Sequence, residues 1–103
     1  PIILFMHAPL YENELYKKSY EFWNGEICLL GSDSEVHPEV KGDIAEPTEA
    51  SKAFYEYVTG EPVIKAVLAG HLHFAFESIL PGGTMQYVTN RGNRRNAREI
   101  TIL

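Results

Sequence analysis

The sequence predicts an α/β fold, and three observations carry the expectation. Two apolar runs, Ile2-Ile3-Leu4-Phe5-Met6 and Val63-Ile64-Lys65-Ala66-Val67-Leu68-Ala69, have the length and residue types of buried strands. Between them, the stretch after Pro47 repeats apolar residues at helical spacing. Beyond Gly70 the pattern changes: Leu72, Phe74 and Phe76 alternate with His73, Ala75 and Glu77, the period of half-buried strands.

In chain order, the run Ile2–Met6 is a strand that ends on His7. Tyr11 to Trp23 fits a helix, with Tyr11, Leu15 and Phe22 on one side and Glu14–Lys18 spaced as a supporting ion pair. Glu26 to Leu30 reads as a short strand closed by Gly31-Ser32-Asp33, with Cys28 as a small core residue inside it. Asp33 to Glu49 is acidic and turn-rich and reads as a long loop. A second helix starts from Thr48 as N-cap, with Glu49 in the first turn where a negative charge suits the helix dipole. Its buried face is Ala50, Ala53, Phe54, Tyr57 and Val58, and Gly60 and Pro62 end it. The strand 63–69 follows at once, making the helix–strand part of a βαβ unit. Phe74–Leu80, the turn Pro81-Gly82-Gly83, Thr84–Thr89 and Glu99–Leu103 read as closing antiparallel strands.

The histidines give this framework its chemistry. Gly70-His71-Leu72-His73 follows an apolar strand, and glycine lets the backbone leave that strand sharply. Strand alternation would project His71 and His73 toward one space at the carboxyl end, where ligand sites of open α/β sheets gather. His7 ends the first strand in the same manner. Taken singly, a strand-end histidine reads as a hydrogen-bonded core residue; three of them at strand ends read as part of a metal site. His37 stands among carboxylates in the loop and has no assigned role.

Met6-His7-Ala8-Pro9 after one strand, with Gly-His-Leu-His after another, resembles the calcineurin-like metallophosphoesterases, and the following hairpin pattern extends the resemblance over nearly the whole chain. The resemblance implies a layered α-β-β-α sandwich with mixed sheets, its last strands antiparallel. It implies two divalent transition metal ions (Mn, Fe, Zn, Co or Ni, the ions imidazole favours), with His7 and His71 on one and His73 on the other. The implied reaction is hydrolysis of a phosphomonoester or phosphodiester by in-line displacement at phosphorus. The family's Asp-x-His, Gly-Asp and Gly-Asn-His motifs do not precede His7, and the last of these would carry the general acid. Gly42-Asp43 lies out of order, and Gly92-Asn93 is followed by Arg94. Residues 1–103 are therefore expected to be the carboxyl-terminal half of one domain, with no catalytic acid of their own and dependent on an N-terminal half as partner. Alone, the chain is expected to be inactive and to aggregate or oligomerise through an unpaired strand edge.

Arg91, Arg94, Arg95 and Arg98 are four of nine basic residues. Arginine is suited to bidentate phosphate contacts, yet a solvated turn between strands explains most of this cluster. Arg91 alone, directly after a strand, is a candidate for binding substrate phosphate. Composition bounds the alternatives. A chain of 103 residues buries only about 60–65% of its unfolded surface. A net charge of −5 gives no sign of nucleic-acid binding, and no apolar run approaches the ~20 residues of a membrane span. A single cysteine forms no intrachain disulfide and points to a reducing, cytoplasmic setting. The rival to the enzyme is a non-catalytic metal- or partner-binding α/β module that uses the sheet edge near residues 1–8 for assembly.

Overall fold

The computed structural model describes residues 1–24, 29–31 and 49–102. Four strands and two helices form a small α/β domain: β1 (Ile2–Phe5), α1 (Asn13–Trp23), α2 (Glu49–Gly60), β2 (Ile64–Ala69), β3 (Phe76–Ile79) and β4 (Met85–Val88), then a single 3₁₀ turn at Gly92–Arg94. The sheet is mixed, in the order β1-β2-β4-β3. β1 and β4 lie parallel to the central β2, and β3 is antiparallel to β4. The antiparallel pair is joined through the expected turn, where Gly82 and Gly83 take φ of 90° and 93°. A Cβ on Gly82 would also run into the Thr59 carbonyl oxygen at the end of α2, so glycine is required there both for its backbone and for its size.

Both helices lie on one face of this sheet. Register places Leu4, Val67 and Gln86 in one row, and Ala69, Val88 and Phe76 in the next. Val58 of α2 packs with Ile64, Val67, Leu80 and Leu10. Leu15 and Tyr16 of α1 pack with Leu72, Phe74, Val88 and Leu29. The opposite face carries the rows Ile3–Ala66–Met85–Ile79 and Phe5–Leu68–Tyr87–Glu77. Phe5 remains 78% exposed and Ile79 63%, so this face is apolar and no helix covers it among the described residues. Among the described residues β1 is an edge strand, at the sheet edge near residues 1–8 that the sequence pointed to.

Several local expectations are corrected. α1 begins at Asn13 and not Tyr11, because Tyr11 and Pro9 instead bond to the backbone of Leu30. The Glu12 carboxylate then caps the helix, accepting from the N–H groups of Glu14 and Leu15 at 3.0 and 2.9 Å. Glu14 pairs with Lys17 at 3.4 Å, and not with Lys18. Lys18 instead lies over the Phe74 ring. The inward residues of α1 are Leu15, Tyr16 and Ser19, while Phe22 is exposed. α2 is also rotated from the expected face: Val58 is buried and Tyr55 half-buried, whereas Ala50, Ala53, Phe54 and Tyr57 face outward. Tyr55 explains this, because its ring packs against Gly31 and its hydroxyl donates to the Tyr11 carbonyl at 3.1 Å. Residues 99–102 form no strand. The expected strand at 26–30 shows only the bridge of Leu30 to Leu10, residues 26–28 lying outside the described residues, as do the N-cap Thr48, His37 and most of the acidic loop.

Candidate metal centre

The carboxyl ends of β1 and β2 lie side by side, because parallel pairing carries both chains out of the sheet at the same level. The ladder continues one step past the strands: the Gly70 N–H donates to the His7 carbonyl at 3.0 Å. That bond fixes the two histidine-bearing segments against each other. His7 Nε2 and His71 Nδ1 come to 3.1 Å, with the rings edge to face and their centroids 4.8 Å apart. One nitrogen donates and the other accepts, the tautomers deciding which.

The backbone at Gly70–His73 departs from the strand geometry on which the expected convergence rested. The Leu72 N–H donates to the Gly70 carbonyl at 2.7 Å around His71, whose φ is 66°. This is a three-residue turn of the strained, positive-φ kind. His73 also lies in the left-handed region, at φ 62°. Each such conformation costs roughly 1–2 kcal/mol for a residue with a Cβ, a cost histidine meets more often than most residue types. Strand alternation therefore does not govern where these rings point. His71 turns to His7, while His73 is exposed and meets Trp23 edge to face, with centroids 5.6 Å apart. The Trp23 indole N–H donates to the Leu72 carbonyl at 2.9 Å, between the two histidines. Sequence reading gave Trp23 no part in the site; its place at the end of a helix, far from residue 72 in the chain, left no local signal.

Burial holds the His71 imidazole below its ordinary pKa, and the neighbouring His7 and His73 lower it further by like-charge repulsion. A neutral imidazole is the form that binds a metal. Two nitrogens at about 2.1 Å from one ion are roughly 3.0–3.4 Å apart in octahedral or tetrahedral geometry. The observed 3.1 Å between His7 and His71 falls in that range, and it is equally the length of the N–H···N hydrogen bond that the pair makes. His73 does not join this pair: among the described residues, no three His, Cys, Asp or Glu side chains are grouped closely enough to hold a metal.

Arg91 is half-buried directly after β4, and its N–H is held by the Asn90 side chain at 2.8 Å. Its guanidinium has no partner among the described residues. Arg94 and Arg95 are exposed in the following turn, braced by Asn96, which donates to the Arg91 and Arg94 carbonyls. Arg98 departs from the expected solvated cluster. It reaches back to Glu77 at 2.9 Å, to the Val88 carbonyl at 3.0 Å and over the Tyr87 ring. No helix among the described residues is long and apolar enough to cross a membrane. Comparison of the chain with family models, with curated proteins and with solved structures found no match.

Proposed function

We propose that this chain contributes His7, His71 and His73 to a metallophosphoesterase centre that hydrolyses a phosphomonoester or phosphodiester. The observation that carries the reading is the His7–His71 pair at the carboxyl ends of adjacent parallel strands, at the bite of two ligands on one ion. His73, two residues on and exposed, would hold the second ion. Two divalent transition ions close together supply, when bound, charge stabilisation for the attacking and leaving oxygens of an in-line displacement. His71 enters that role neutral, because burial disfavours its protonated form. Arg91, uncommitted beside the strand end, would orient a substrate phosphate oxygen.

Three histidines do not supply the bridging carboxylate that holds two such cations together, so further ligands come from other residues of the polypeptide. The apolar face of Ile3, Phe5, Leu68, Met85 and Ile79 and the unpaired edge of β1 support where those residues belong: a second sheet packed on this one, giving the layered α-β-β-α sandwich. Residues 1–103 would then be the carboxyl-terminal half of one domain, in a reducing, cytoplasmic setting suited to the single Cys28. A second reading, a non-catalytic metal- or partner-binding module, is favoured by one feature: His7 and His71 already satisfy each other by a hydrogen bond.

The two readings separate on activity. In the intact polypeptide with Mn²⁺, p-nitrophenyl phosphate or its bis ester should turn over, and the isolated 103-residue chain should be inactive. His71→Ala or His73→Ala should cost at least ~100-fold, the order expected when metal binding is disrupted. Full activity in the double variant would end the phosphoesterase reading.

A further inference from the structure

We infer that Trp23 is a positioning residue for His73, locking the Gly70–His73 turn from the end of α1. The inference rests on the histidine centre proposed above for its consequence, and on geometry alone for the positioning. The two backbone conformations that aim His71 and His73 are both left-handed at residues with a Cβ, so the turn needs an outside restraint to hold them. Trp23 supplies two at once. Its indole N–H holds the Leu72 carbonyl at 2.9 Å, and its ring faces His73 edge to face. Leu72 itself is anchored with Leu15 and Phe74 in the core beneath α1. The side chain and the carbonyl of Leu72 are thus both fixed, and the peptide leading into His73 cannot rotate without breaking the indole bond. Asn24, in the left-handed conformation right after Trp23, ends the helix there, so the indole sits at the last position from which α1 reaches the turn.

The test uses Trp23→Phe, which keeps an aromatic ring and removes the N–H, beside Glu12→Ala, which weakens α1 by removing its cap at the end away from the turn. In the metal-free protein, amide exchange at Leu72, whose N–H is bonded to the Gly70 carbonyl within the turn, should rise at least ~10-fold in Trp23→Phe, the loss of about one hydrogen bond. The His73 ring resonances should shift while those of His7 stay in place. Glu12→Ala should leave the His73 ring resonances where they are. With Co²⁺ as the probe, followed by its visible absorption, Trp23→Phe should bind about 10–100-fold more weakly than the parent, as for other residues that orient a ligand. Unchanged exchange and ring shifts in Trp23→Phe, or an equal His73 shift in Glu12→Ala, would overturn the positioning role. So would Co²⁺ affinity equal to that of the parent. If the parent binds no Co²⁺ while exchange and ring shifts respond as expected, the positioning stands and the metal reading falls.

Discussion

The side chain of Gln86 bonds to both polar groups of the Leu10 backbone: Oε1 accepts from the Leu10 N–H at 2.8 Å, and Nε2 donates to the Leu10 carbonyl at 2.9 Å. Gln86 is fully buried in the centre of the sheet face beneath the helices. Its amide thus acts as a short piece of strand, pairing a buried turn that would otherwise hold two unsatisfied groups. This clasp fixes the segment that leads from His7 into α1.

Gln86→Leu leaves both Leu10 groups buried without partners and should destabilise the fold by about 2–6 kcal/mol, from ~1–3 kcal/mol for each group. Gln86→Glu keeps the acceptor but loses the donor, and buries a carboxyl. Urea midpoints measure both. A loss below about 0.5 kcal/mol in Gln86→Leu would show that water or relaxation satisfies Leu10 instead.

The depressed pKa of His71 makes stability depend on pH with a definite sign. The unfolded residue titrates near 6.5, and the folded one lower. As pH falls below 6.5, the unfolded chain takes up the proton first, so stability drops until the folded pKa is also passed. Stability should therefore rise with pH through this window. Urea midpoints between about pH 5 and 8 should show the positive slope, and His71→Asn should flatten it. An equal slope in both proteins would assign the effect to another group.

Arg98 and its neighbours should separate cleanly. Arg98 ties residues beyond the 3₁₀ turn to β3 and β4 through Glu77 and the Val88 carbonyl. Arg98→Ala should lower stability by about 1–2 kcal/mol, since its hydrogen bond to the partly buried carbonyl is charge-assisted. Arg94→Ala and Arg95→Ala should change it by less than about 0.5 kcal/mol. For the phosphoesterase activity proposed above, Arg91→Ala should raise KM or cut kcat/KM without a stability loss. Equal, negligible kinetic effects at Arg91, Arg94 and Arg95 would remove Arg91 from substrate binding.

The open sheet face should govern association of the isolated chain. Phe5→Ser with Ile79→Thr replaces its two most exposed side chains in the strands and should shift sedimentation toward monomer. Association unchanged by the pair would move the sticky surface elsewhere, with the outer edge of β1 next to test by an Ile3→Pro change, since the N–H groups of Ile2 and Met6 face β2 and that of Ile3 faces away from it.

β1 to β4 and the turn joining β3 to β4 were legible because their determinants are local, whereas the strand expected at the end of the chain does not form over residues 99–102. A five-residue apolar run before His7, the run before Gly70 and the Pro81-Gly82-Gly83 turn each specify strand or turn from adjacent residues, and the structure places β1, β2, β3 and β4 within them. The span of α1 was legible apart from its first turn, where Pro9 and Tyr11 are taken by Leu30, a partner no local pattern announces; its inward face was not, since Tyr16 and Ser19 turn in and Phe22 turns out. The buried face of α2 was not legible. Ala50, Ala53, Phe54 and Tyr57 form an apolar stripe, yet a stripe is buried only where another element covers it, and Gly31 and Tyr11 receive Tyr55 instead. The histidines divide in the same way. Their presence at strand ends is a sequence property, and the meeting of His7 with His71 follows from parallel pairing of β1 with β2. Where His73 points is not written in the alternation of residues. It depends on two left-handed backbone conformations and on an indole from a helix remote in the chain, because only the folded core brings Trp23 to the Leu72 carbonyl.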